Sequence, residues 1–84
     1  MARNDARENT SGIRIAGTVA RTMTSKGFGF ITGEDKKEYF FHLSNCGVGV
    51  WEEICRQPKD GAGVPVSFEK AQTAKGLRAL AVML

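Results

Sequence analysis

Apolar and polar residues alternate along this chain in short runs, and the runs end in glycine or clustered charge. From Ile13 to Thr22, Ile13, Ile15 and Val19 share one parity, and Arg14, Thr18 and Ala20 share the other. Period two with one polar side is the mark of a strand with one wet face. Thr24-Ser25-Lys26-Gly27 reads as a turn, and Phe28 to Thr32 as a second strand. Gly33 and the polar run Glu34-Asp35-Lys36-Lys37 make a hairpin connection to a third strand, Glu38 to Leu43. Three consecutive strands joined by short links form a β-meander.

Asn45 to Gly63 breaks the alternation. Gly47, Gly49, Pro58, Gly61 and Gly63 surround Trp51-Glu52-Glu53-Ile54-Cys55-Arg56. Trp51, Ile54 and Cys55 stand at helical spacing, which predicts a short helical stretch turned toward the core. A connection this long should carry some order. Val64, Val66 and Phe68 then alternate as a fourth strand. Pro65 has no N–H to give a ladder, so this strand should begin there or lie at an edge. Ala71 to Gly76 is predicted to turn, and Leu77 to Leu84 to form the fifth strand. Five short strands, a long link after the third and no substantial helix predict an all-β fold, a five-stranded antiparallel Greek-key barrel of OB type. Residues 1–12 have no apolar face, and Arg3 and Arg7 offset Asp5 and Glu8. The expectation is a flexible leader over 1–12 and one domain over 13–84.

Composition narrows the function. The chain has 84 residues, enough for one domain, and 42% hydrophobic residues, enough for one core. A formal charge of +3 suits a nucleic-acid partner without demanding one. No apolar run approaches the roughly 18 residues of a membrane span, and no apolar segment follows the N-terminal charges as in a secretory signal. We therefore expect a cytoplasmic protein with no membrane partner. Cys46 and Cys55 match no zinc spacing. With His42 they would supply three ligands, one fewer than a structural zinc site usually has, so they read as free thiols. Neither paired carboxylates in a plausible pocket nor a Walker-type loop is present. No metal, cofactor or catalysis is expected.

The informative segment is Lys26-Gly27-Phe28-Gly29-Phe30-Ile31-Thr32. In a strand, Phe28 and Phe30 point one way and Gly27, Gly29 and Ile31 the other. Two phenylalanines separated by glycine pack a core poorly but lie well on an exposed sheet. On the third strand Phe40 and His42 share a face. Tyr39, Phe41 and Leu43 share the opposite one, assigned to the core. If the two strands pair, Phe28, Phe30, Phe40 and His42 make one patch, with Lys26, Lys36 and Lys37 nearby. A single phenylalanine is more often core than site. A thin sheet in so short a chain, however, cannot bury both faces. Exposed rings stack bases at about 1–3 kcal/mol each, and cations hold phosphates.

A K-G-F-G-F run also occurs in the RRM, but there it lies on a third strand behind a helix, and its pattern wants an aromatic where Gly33 stands. The chain resembles the cold-shock domain family instead. Gly17-Thr18-Val19 is similar to that family's first strand, and Lys26 to Thr32 to its first RNA-binding motif. Tyr39-Phe40-Phe41-His42-Leu43-Ser44 is similar to its second. Asp60-Gly61 with Val64 to Glu69 is similar to its fourth strand. The resemblance implies a binder of single-stranded RNA or DNA, mainly pyrimidine-rich, acting as an RNA chaperone or a regulator of transcription or translation. It carries over Lys26, Phe28, Phe30, Phe40 and His42 as binding residues. Lys37 and Arg21 complete the candidate set. Arg21 stands where the family carries a tryptophan, in Ala20-Arg21-Thr22. Parity alone would turn Arg21 inward with Val19, so its role requires a bulge. The alternative function is a protein-interaction module on the same fold, with a protein partner engaged through Trp51 and the Asn45–Gly63 loop.

Overall fold

The computed structural model describes residues 8–84, with side chains from Ile13 onward, Asp60 apart. The elements are β1 (Glu8–Met23), β2 (Phe28–Gly33), β3 (Glu38–His42), α1 (Val50–Arg56), β4 (Pro65–Thr73) and β5 (Gly76–Met83). Short 3-10 turns span Leu43–Asn45 and Pro58–Gly61. The strands close into a barrel in the order β1-β2-β3-β5-β4. β1 with β2, β2 with β3, β1 with β4 and β4 with β5 pair antiparallel, whereas β3 and β5 meet in parallel at Phe40 and Arg78. The parallel contact follows from arithmetic. Five strands cannot alternate direction all the way round a closed ring, so one neighbouring pair must run the same way.

The core is the set of inward side chains that period two selects. Val19, Ile31, Tyr39, Phe41, Phe68 and Val82 are buried within it. β4 begins at Pro65, where the missing N–H costs no ladder bond. β1 starts at Glu8, ahead of the expected Ile13, and its Glu8 and Thr10 pair with Thr73 and Ala71. Of the expected leader, residues 1–7 lie outside the described residues. The same pairing carries β4 on to Thr73, with Ala71 buried, so the turn expected from Ala71 shrinks to Ala74–Lys75.

α1 covers one end of the barrel. Ile54 is buried as expected, and Trp51 lies half-buried with its ring 5.8 Å from that of Phe41. Val50, one helical turn before Ile54, is the buried partner that the spacing argument missed. Cys55 is half-buried. Leu43 corrects the core assignment, since it is 44% exposed. β3 ends at His42, whose Nδ1 accepts from the Ser44 N–H and turns the chain into the 3-10 segment. Strand parity no longer governs Leu43.

Candidate nucleic-acid interface

The β2–β3 hairpin pairs Phe30 with Phe40 and Phe28 with His42. These four side chains are half-buried, and they alternate with the fully buried Ile31, Tyr39 and Phe41. A Cβ on Gly29 would stand 2.7 Å from the Arg21 carbonyl oxygen and 2.9 Å from the Phe41 ring. Glycine there lets β1 and the core close tightly beneath the sheet while the neighbouring phenylalanines stay outside. The three rings touch one another. Phe28 and Phe40 are 5.3 Å apart and tilted by 33°. Phe30 stands edge-on to both, at 86° to Phe28 and 73° to Phe40. The patch is therefore faceted, with one ring nearly perpendicular to its neighbours, where the sequence suggested rings lying flat.

β1 carries the bulge that Arg21 requires. Its register against β2 shifts between Val19 and Arg21, so that Val19 pairs with Ile31 and Arg21 with Phe30. Val19 and Thr22 are both buried, three residues apart, and Arg21 between them is exposed. The extra residue turns Arg21 outward. Its guanidinium carbon lies 5.2 Å from the Phe30 ring centre, at cation–π distance.

A second arginine completes this arrangement. Arg78 on β5 places its guanidinium carbon 5.1 Å from the centre of the Phe40 ring. Sequence reasoning missed it. Its outward orientation could be read from the buried Ala79 beside it, but its position next to Phe40 depends on which strand β5 meets when the barrel closes.

The remaining candidates lie around the patch. His42 Nδ1 is 2.9 Å from Ser44 Oγ and accepts from the Ser44 N–H, so the neutral ring carries its proton on Nε2. Lys26 is exposed in the β1–β2 turn, whose Lys26 and Gly27 N–H groups both donate to Met23 O. Lys36 and Lys37 are exposed at the opposite end of the hairpin. The structure thus brings Arg21, Phe28, Phe30, Phe40 and His42 together, sets Lys26 at one end and leaves Lys37 at the other.

The far turn is braced from below. Tyr39 donates its hydroxyl to Asp35 Oδ2 at 2.6 Å, and Lys70 Nζ lies 3.7 Å from the same oxygen. Asp35 Oδ1 accepts from the Lys37 N–H at 3.1 Å. The Tyr39 hydrogen bond is the main cause holding the Asp35 carboxyl below its usual range. Burial first, and then Asp35, push the Tyr39 phenol up to about 12. The Cys46 thiol is pushed up to about 11, chiefly by burial and then by the Cys55 and Glu52 charges, which leaves it a poor nucleophile. Among the described residues no group of three His, Cys, Asp or Glu side chains is gathered as a metal would need. No helix of the described residues is long and apolar enough to cross a membrane.

Comparison with known proteins adds one finding. The family model described as 'Cold-shock' DNA-binding domain matches residues 15–84. No curated protein matches the chain.

Proposed function

As the chain belongs to the 'Cold-shock' DNA-binding domain family and so to a class of nucleic-acid-binding domains, we propose that it binds single-stranded RNA or DNA by stacking bases on Phe28, Phe30, Phe40 and His42. In this reading Arg21 extends the stacking surface, and Lys26 and Lys37 hold phosphates at its two ends. One observation carries the reading. Three phenylalanine rings in mutual contact lie on the outer face of a sheet whose core is already filled from the other side. Such rings contribute little to folding, and their faces accept any base. Few lysines flank the rings, so the electrostatic part of the grip should be light. Those properties fit an RNA chaperone or a regulator of transcription or translation that must also let go.

The test is a backbone NMR titration with oligo-dT and oligo-U. Shifts should centre on Phe28, Phe30, Phe40, His42 and Arg21. Shifts confined to the Asn45–Gly63 segment would instead favour the protein-interaction alternative.

A further inference from the structure

The four arginines with described side chains fall into two pairs. Arg14 and Arg56 are engaged within the protein. Arg14 donates to Ser67 Oγ at 3.1 Å and to Ala81 O at 2.8 Å, and Arg56 pairs with Glu53 at 3.2 Å. Arg21 and Arg78 have neither a side-chain hydrogen bond nor an ion pair among the described residues. Each lies on a ring of the patch instead. Arg78 goes one step further. Its Nε is buried and has no hydrogen-bond partner. A buried donor without an acceptor is a standing cost to the fold.

Two features fix where this guanidinium sits. The backbone pairs Arg78 with Phe40 across the parallel contact, and the Phe40 ring holds the cation at its surface. The group is therefore held at ring level, against Phe40. Guanidinium is a planar fork of donors with no acceptor. With Nε buried, the two terminal nitrogens are the donors open to a ligand, and they are satisfied by two acceptors side by side on one edge. Guanine presents O6 and N7 in that way. Cytosine presents O2 and N3 on its pairing edge, which a single strand leaves open. Uracil and thymine separate their two carbonyls by an N–H, and adenine sets an amino donor beside its ring acceptors. A purine is also the larger base, able to cover Phe40 and still reach the fork.

We propose that Arg78 is the base-reading residue of the patch, selecting guanine for the position stacked on Phe40. This rests on the reading that bases stack on these rings. The shared chemistry is a pair of adjacent acceptors, and the strands of the test separate guanine from cytosine as its source.

The experiment measures binding of the full chain to labelled hexamers. These are oligo-dT and the same strand with one guanine, one 7-deazaguanine or one cytosine. The guanine strand should bind on the order of tenfold tighter than oligo-dT. Removing N7 in the deaza strand should cancel that gain. Arg78→Lys keeps the charge but loses the fork, so it should bring the guanine strand down to the level of oligo-dT. Equal binding of guanine and 7-deazaguanine overturns the proposal, as does an unchanged preference in Arg78→Lys. A gain for cytosine with none for guanine overturns the choice of guanine. The deaza arm uses the unaltered protein, so the result stands even if the variant misfolds. Phe30→Ala should weaken all four strands by a similar factor. If it weakens none, the stacking reading fails. If it weakens all while the deaza substitution changes nothing, Arg78 alone is wrongly assigned.

Discussion

Arg21 pairs across the β1–β2 ladder with Phe30, and its guanidinium carbon stands 5.2 Å from the centre of that ring. Strict alternation from Val19 would have turned Arg21 into the core. The bulge between the two residues reverses that and gives Phe30 a cation for a neighbour. Where the family resemblance places a broad indole, this chain places a smaller plane that carries charge. A guanidinium stacks and attracts phosphate at once, whereas an indole stacks without carrying a charge.

Arg21→Trp should therefore tighten binding to pyrimidine strands and lower the salt dependence by about one phosphate equivalent. Titration of both proteins at two salt concentrations checks it. Unchanged affinity with the fold intact would remove Arg21 from the site.

Phe30→Ala and Phe40→Ala should each weaken oligonucleotide binding by about 1–3 kcal/mol, the scale of one lost stack. Both rings are half-buried on the outer face, above a core made by Ile31, Tyr39, Phe41 and Phe68. Thermal unfolding of the variants should stay cooperative, with a modest fall in midpoint. A variant that unfolds while its folded fraction binds normally would mean that the faces are assigned the wrong way round.

Most of the ring patch was legible because its determinants are local. Period two fixes which face Phe28, Phe30, Phe40 and His42 share, and a short hairpin link fixes their register. Arg78 was not legible, because nothing near it in the chain says that β5 will meet β3. That contact is set by closure of an odd-stranded ring. Leu43 was misread because His42 caps the following turn and ends the strand one residue early. Val50 was missed because it follows Gly49, in a segment where glycine obscured the helix start. Gly49, at φ +79°, is the residue before the first helical position.

Stability should depend on pH at both ends of the range through Asp35 and Tyr39. Asp35 has its folded pKa below the ordinary carboxylate value of 3.8, chiefly through the Tyr39 hydroxyl. Its contribution is present above the unfolded value and is lost as pH falls through the lower folded one. Tyr39 has its folded pKa raised from 10.0 to about 12, chiefly by burial. Its contribution is complete below 10.0 and is lost as pH rises toward about 12. Denaturant midpoints across this range should therefore fall at both extremes. Tyr39→Phe should flatten both falls, because it removes the phenol and the hydrogen bond that lowers Asp35. An acid limb unchanged by that substitution would assign the acid sensitivity to other carboxylates.

Salt dependence should report how far along the hairpin the strand runs. Lys26 lies in the turn beside Phe28, and Lys37 lies at the opposite turn, where Gly33 donates to the Lys37 carbonyl. The six residues of β2, Phe28–Gly33, separate the two turns, roughly 20 Å at about 3.3 Å per residue. A strand much shorter than the roughly 4–16 nucleotides of an OB-fold site would not span both turns. Each phosphate contact adds a slope of about −0.7 in log affinity against log salt. With Arg21, Lys26, Lys36 and Lys37 as the cations in play, an octamer should show a slope equivalent to about two to four contacts. Lys26→Ala should lower the slope by about one contact for an octamer and for a trimer alike. Lys37→Ala should lower it for the octamer and leave the trimer unchanged, because a short strand held by the rings does not reach the far turn. Equal effects of Lys37→Ala on both lengths would mean that bound bases extend past Phe30 toward Thr32, shifting the site toward the β2–β3 turn. No effect on either length would take Lys37 out of the interface and leave the phosphates to Arg21 and Lys26.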